Sequence, residues 1–146
     1  MATFKTKADY YQPTKYFEPT QPNPTEKIGH GTKGDCVIRA FALAAGITWL
    51  EAFDALCEHA RKTYSVPNCH TNYIPLFKEL GYQRIACKAV KGKSRMTAEE
   101  FCKKHRKGRY MLRISNHLAA VVDGKVRDSW NPANKCVYSY FVVSEE

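Results

Sequence analysis

The stretch "HLAAVVDGKVRDSW", from His117 to Trp130, restricts the fold more than any other part of the chain. Asp-Gly between two apolar-rich runs is the strongest short-range signal for a two-residue type I′ hairpin. That turn fixes a register in which Val122 faces Lys125, Ala119 faces Asp128 and His117 faces Trp130. Residues two apart on a strand share a face, so His117 and Asp128 are diagonal neighbours on one face. A carboxylate so placed holds an imidazole in one tautomer and orientation. Trp130 lands beside the imidazole and shields that contact from water. Asn131 falls on the opposite face, which favours Asp128 as the orienting group unless the strand bends first. Without a partner for the imidazole, the same stretch is an ordinary hairpin with an exposed histidine.

A second stretch, "GTKGDCVIRAFALAAG", supplies a thiol. Val37, Ala40, Phe41 and Ala44 follow the spacing of an amphipathic helix, and Gly46 is a natural stop. Asp35 and Cys36 sit at the helix start. Unpaired backbone N–H groups and the positive end of the macrodipole favour a thiolate there. Position alone fits a buried structural cysteine equally well. A nucleophile needs a base, and histidine is the usual one. Of His30, His59, His70, His105 and His117, His59 falls on a predicted helix and His105 lies in the basic run "KKHRKGR", where solvation is expected. His117 alone comes with an orienting acid. A helix-start cysteine, a strand-start histidine and a same-face aspartate make the Cys–His–acid arrangement.

Around these stretches the chain reads as one domain of 146 residues with an N-terminal arm. The arm, residues 1–34, holds Pro13, Pro19, Pro22 and Pro24 among recurring aromatics and is expected to be extended. Residues 35–146 form the folded domain. Helices are predicted from Asp35, after Thr48, over 73–80, and from the Thr97/Glu100 capping box to about residue 105. Strands are predicted over 84–90, 109–115, 117–122, 125–130 and 136–143. Helices first and strands last give an α+β domain, with N-terminal helices packed on a C-terminal antiparallel sheet.

Composition narrows the function classes. No apolar run is long enough to span a bilayer, and the N-terminus lacks the apolar stretch of a secretory signal. The expected setting is therefore cytoplasmic, with the six cysteines as free thiols. Cys57, His59, Cys69 and His70 cluster in sequence but match no zinc spacing, so neither a metal nor another cofactor is expected. The net charge of +9 suits an acidic partner. The basic stretches "KAVKGKSR" and "KKHRKGRY" carry few aromatics, which does not favour nucleic acid.

The motifs "GDCVIRA" and "NHLAAVVDGKVRDSW" resemble papain-like cysteine peptidases, and most nearly the small papain-like proteins encoded by bacteriophages. "DSW" is similar to the Asn-Ser-Trp element of papain relatives, with Asp128 in place of Asn. The resemblance covers most of residues 34–130 and implies a papain-like fold, with Cys36 as nucleophile, His117 as base and Asp128 as orienting acid. It also implies an oxyanion hole built from the Cys36 backbone N–H and an upstream side chain. Papain relatives use a glutamine six positions before the cysteine, where this chain has His30; Thr32 and Lys33 are other donors nearby. The expected activity is hydrolysis of an amide, peptide or isopeptide bond in a protein or peptide substrate. The alternative is a non-catalytic module that masks a host protein or nucleic acid through its basic surface and arm.

Overall fold

The Asp123-Gly124 turn closes the hairpin with both residues at positive φ, 50° and 77°, as a type I′ turn requires. It joins β4 (His117–Val122) to β5 (Lys125–Asp128), in the register Val122–Lys125, Val121–Val126 and Ala120–Arg127. A second tight turn, Ser115-Asn116, joins β4 to β3 (Arg109–Ile114) and sets His117 at the start of its strand. The computed structural model describes residues 6–29 and 33–146. Within them the sheet has six strands, completed by β1 (Phe17–Pro19), β2 (Gln83–Ala86) and β6 (Ser139–Ser144) in the order β1-β5-β4-β3-β6-β2.

The described residues also form four α-helices: α1 (Cys36–Ala45), α2 (Trp49–Thr63), α3 (His70–Glu79) and α4 (Ala98–Lys104). They cover both faces of the sheet. Phe41, Phe77, Met111, Leu118 and Phe141 pack between α1–α3 and one face. Phe17, Phe101, Leu112, Ala119, Val121 and Val126 pack around α4 on the other. Burial on both faces explains why "HLAAVV" is apolar nearly throughout rather than alternating. No single helix among the described residues is long and apolar enough to cross a membrane.

Three expectations need correction. The sheet is mixed rather than antiparallel, because β1 runs parallel to β5, with Phe17 opposite Val126 and Pro19 opposite Asp128. The arm thus supplies a strand that covers the sheet edge β5 would otherwise expose, and the arm also folds a 3-10 turn at Lys7–Tyr10. Second, α3 begins at His70, three residues before the expected 73–80, with Pro75 well inside it. Third, the strands expected over 84–90, 125–130 and 136–143 are shorter. β2 ends at Ala86 and β5 at Asp128, and β6 starts only at Ser139.

Phe17 is fully buried. The Phe17→Ala variant should therefore lose about 3–5 kcal/mol of stability in urea unfolding. A loss below about 1 kcal/mol, the size of an ordinary surface substitution, would show that the arm does not share the core.

Candidate active site

The site forms where the start of α1 meets the starts and ends of the central strands. His117 Nε2 lies 2.5 Å from Asp128 Oδ2. Both side chains are largely buried, and the His117 ring packs on Trp130 with centroids 4.8 Å apart. With Nε2 engaged by the carboxylate, Nδ1 is left for the thiol. Asn131 is fully buried but turned elsewhere, its Oδ1 accepting from the Ala133 N–H at 2.9 Å. The acid beside the imidazole is thus Asp128.

Cys36 is the first residue of α1 and lines two clefts that it shares with His117 and Asn116. Burial alone would push its thiol up. The hydrogen bond and positive charge of His117 outweigh this, aided by the Leu118 backbone and the Arg39 charge, and the thiol is held below its ordinary value. Burial likewise acts to lower His117. The hydrogen bonds to Asp128 and Cys36, with the negative charge of both, win and raise the imidazole to about 9. The two shifts act in the direction of a thiolate–imidazolium pair, the two groups titrating as a coupled unit. Cys102 shows the contrast: burial pushes its thiol up to about 12.

No protein-family model, curated protein or solved structure matches this chain.

The carboxylate that orients His117 is itself held. Asp128 Oδ1 accepts from Arg39 Nη1 at 2.7 Å and from the Ser129 backbone N–H at 2.7 Å. Arg39 Nη1 also donates to Ser129 Oγ at 2.8 Å, and its Nε donates to Asp35 Oδ1 at 2.9 Å. The other oxygen of Asp35 accepts from Trp49 Nε1 at 2.9 Å and Asn23 Nδ2 at 3.1 Å. Burial acts to raise Asp35, but these bonds and the Arg39 charge bring its carboxyl below the ordinary value. Asp35 is the residue before α1, yet its side chain makes no capping bond to the helix; it serves Arg39 instead. The arm clamps the same segment through the backbone. Thr20 N–H donates to the Asp128 carbonyl at 2.8 Å and Asn131 N–H to the Tyr10 carbonyl at 2.7 Å.

The geometry therefore brings together Cys36, His117, Asp128, Trp130 and Asp35, and leaves Asn131 outside the contact. His30 and Thr32 lie outside the described residues. Lys33 is engaged elsewhere, its Nζ donating to Thr25 Oγ1 at 3.1 Å. Arg39, Ser129, Trp49 and Asn23 join the site through this network without a motif of their own in the sequence. The spacing of Asp35 and Arg39, one helical turn apart, was the available signal for an ion pair. His59 is buried, with Nδ1 and Asn72 Oδ1 2.7 Å apart, and no group of three metal-ligating side chains occurs among the described residues. His105 is not solvated as expected: it stacks on Phe101 at 3.9 Å between centroids.

The lowered thiol predicts selective alkylation. Iodoacetamide at mildly acidic pH should modify Cys36 well before Cys102, read by peptide mass mapping, because only the thiolate reacts. His117→Ala should slow that modification, since burial then acts on the thiol without its main counterweight. Equal labelling of the two cysteines would contradict the assignment.

Proposed function

We propose that the chain is a thiol hydrolase of papain-like type that cleaves an amide, peptide or isopeptide bond through a thioester on Cys36. The observation that carries this reading is the Asp128-held imidazole beside a helix-start thiol. The Cys36 thiolate attacks the carbonyl carbon; a C–S bond forms and the carbonyl oxygen takes the electron pair as an oxyanion. The Cys36 backbone N–H, at a helix position with no intrahelical partner, is available to that oxygen. The tetrahedral species collapses, the C–N bond breaks, and the imidazolium of His117 gives its Nδ1 proton to the leaving amine. Neutral His117 then takes a proton from water, whose oxygen attacks the thioester and restores the thiolate. An amine in place of water makes the same machinery an acyl transferase.

Asp128 keeps Nδ1 directed at the thiol, and Arg39 keeps Asp128 in place. Proteins or peptides are the substrates that two clefts sharing Cys36 suit. Phage origin and action in a host cytoplasm belong to the same proposal and rest on the motif resemblance.

A panel of peptide and ubiquitin-like electrophilic probes, followed by mapping of the modified residue, tests the reading. Cys36 should carry the label, and Cys36→Ala should remain folded by circular dichroism while losing turnover. A folded Cys36→Ala protein with full turnover, or a native thiol inert to every probe, would favour the binding-module alternative.

The pH profile carries a second prediction. Turnover needs His117 protonated, so the alkaline limb should fall near pH 9. Asp128→Ala removes groups that raise the imidazole, so that limb should move to lower pH and the rate should drop by roughly 10²–10⁴-fold. Asp128→Asn should be milder, because an amide still orients the ring. Arg39→Ala should resemble a weakened Asp128→Ala, with Arg39→Lys restoring part of the rate. An unmoved alkaline limb in Asp128→Ala would contradict the assignment.

A further inference from the structure

On β3, residues Arg109, Met111 and Arg113 alternate onto the sheet face that α1 covers, and Met111 is part of the core there. The two arginines bracket α1 at its opposite ends. Arg109 is accounted for: its Nη1 donates to the carbonyls of Leu43 and Ala44 at 3.2 and 3.4 Å, at the helix C-terminus. Carbonyls at that end carry partial negative charge, so a cation belongs there. Arg113 lies at the other end, near the Cys36 terminus, where the helix offers no acceptor. Its guanidinium makes no ion pair or hydrogen bond among the described residues, though the side chain is half-buried. A half-buried charge on an inward strand position is costly unless something pairs with it.

What Arg113 faces is the cleft beside Cys36, a cavity of about 270 Å³. Its polar lining includes Asn68, His70, Tyr73 and Asn116, and no aspartate or glutamate contributes to it. A planar guanidinium with its donors unspent is built to take a carboxylate in bidentate fashion.

We propose that Arg113 makes this cleft a subsite for an acidic side chain, aspartate or glutamate, of the polypeptide substrate, next to the bond that Cys36 attacks. The inference rests on the thiol-hydrolase reading and supplies the substrate class that reading lacks. It also gives a specific place to the acidic partner suggested by the net charge.

The test uses the full chain and peptidyl vinyl sulfones that differ only in carrying Glu, Gln or Lys at each position flanking the electrophile. The second-order inactivation rate of Cys36 is measured for wild type, Arg113→Gln and Arg113→Glu. Each is normalised to the protein's own iodoacetamide rate, which checks that the thiol site is folded. At one flanking position wild type should favour Glu over Gln by roughly tenfold, the scale of one charge-assisted pair. Arg113→Gln should bring that ratio close to one, and Arg113→Glu should favour Lys. A Glu-to-Gln ratio that is the same in all three proteins overturns the proposal, as does an equal loss across all probes in the variants. If iodoacetamide and all probes leave Cys36 unmodified in wild type, the hydrolase reading falls and takes this one with it.

Discussion

The carboxylate of Asp128 is the point on which the rest of the site depends. One oxygen meets the imidazole of His117 and the other meets the guanidinium of Arg39. Asp128 is 3% exposed, so neither partner is replaced by water when lost. A buried charge stripped of one partner costs far more than the pair contributes when intact. Arg39 comes from α1 and His117 from β4, so this one side chain ties the helix that carries the thiol to the strand that carries the imidazole. Placement of Cys36 against His117 follows from that tie and from the packing of Phe41, Leu118 and Ala120 beneath it.

The segment that holds Asp128 is in turn set by the arm. Pro19 pairs opposite Asp128, Thr20 donates to its carbonyl, and Tyr10 accepts from Asn131, the residue after Trp130. The side chain of Asn23 reaches the same network through Asp35. The arm therefore acts on the site without lining up any reacting group itself. Its contacts fix the backbone from Asp128 to Asn131, and with it the indole of Trp130 against His117. Electrostatics then favour separated charge: the imidazole is raised by Asp128 and the thiol is lowered by the imidazole, each shift won against burial.

The parts of this arrangement that were legible in the sequence are those set by local chemistry. Asp123-Gly124 dictates its own turn, and the turn places His117, Asp128 and Trp130 by counting. The α1 start at Cys36, the Gly46 stop and the Thr97/Glu100 capping box are equally local. What escaped depends on partners far apart in the chain. Arg39 lies 89 residues from Asp128, and no helical period marks an arginine for a distant carboxylate. β1 has only three residues and ends in proline, so it shows no alternation; its pairing with β5 is a tertiary event. The start of α3 at His70 carries no local signal: its N-cap is Cys69, not a common capping residue, and Pro75 sits inside the helix. The basic neighbours of His105 imply solvation, yet one helical turn back lies Phe101, on which it stacks.

The central claim is that Asp128 and the thiolate keep His117 charged at neutral pH, which distinguishes a primed Cys–His pair from a neutral histidine beside a thiol. An NMR titration of the imidazole nitrogens in isotope-labelled protein reads this directly. His117 should stay doubly protonated through neutrality and lose its proton near pH 9, and Cys36→Ser should lower that midpoint. A His117 that titrates near its ordinary value of about 6.5, with no response to the loss of the thiol, would contradict the account.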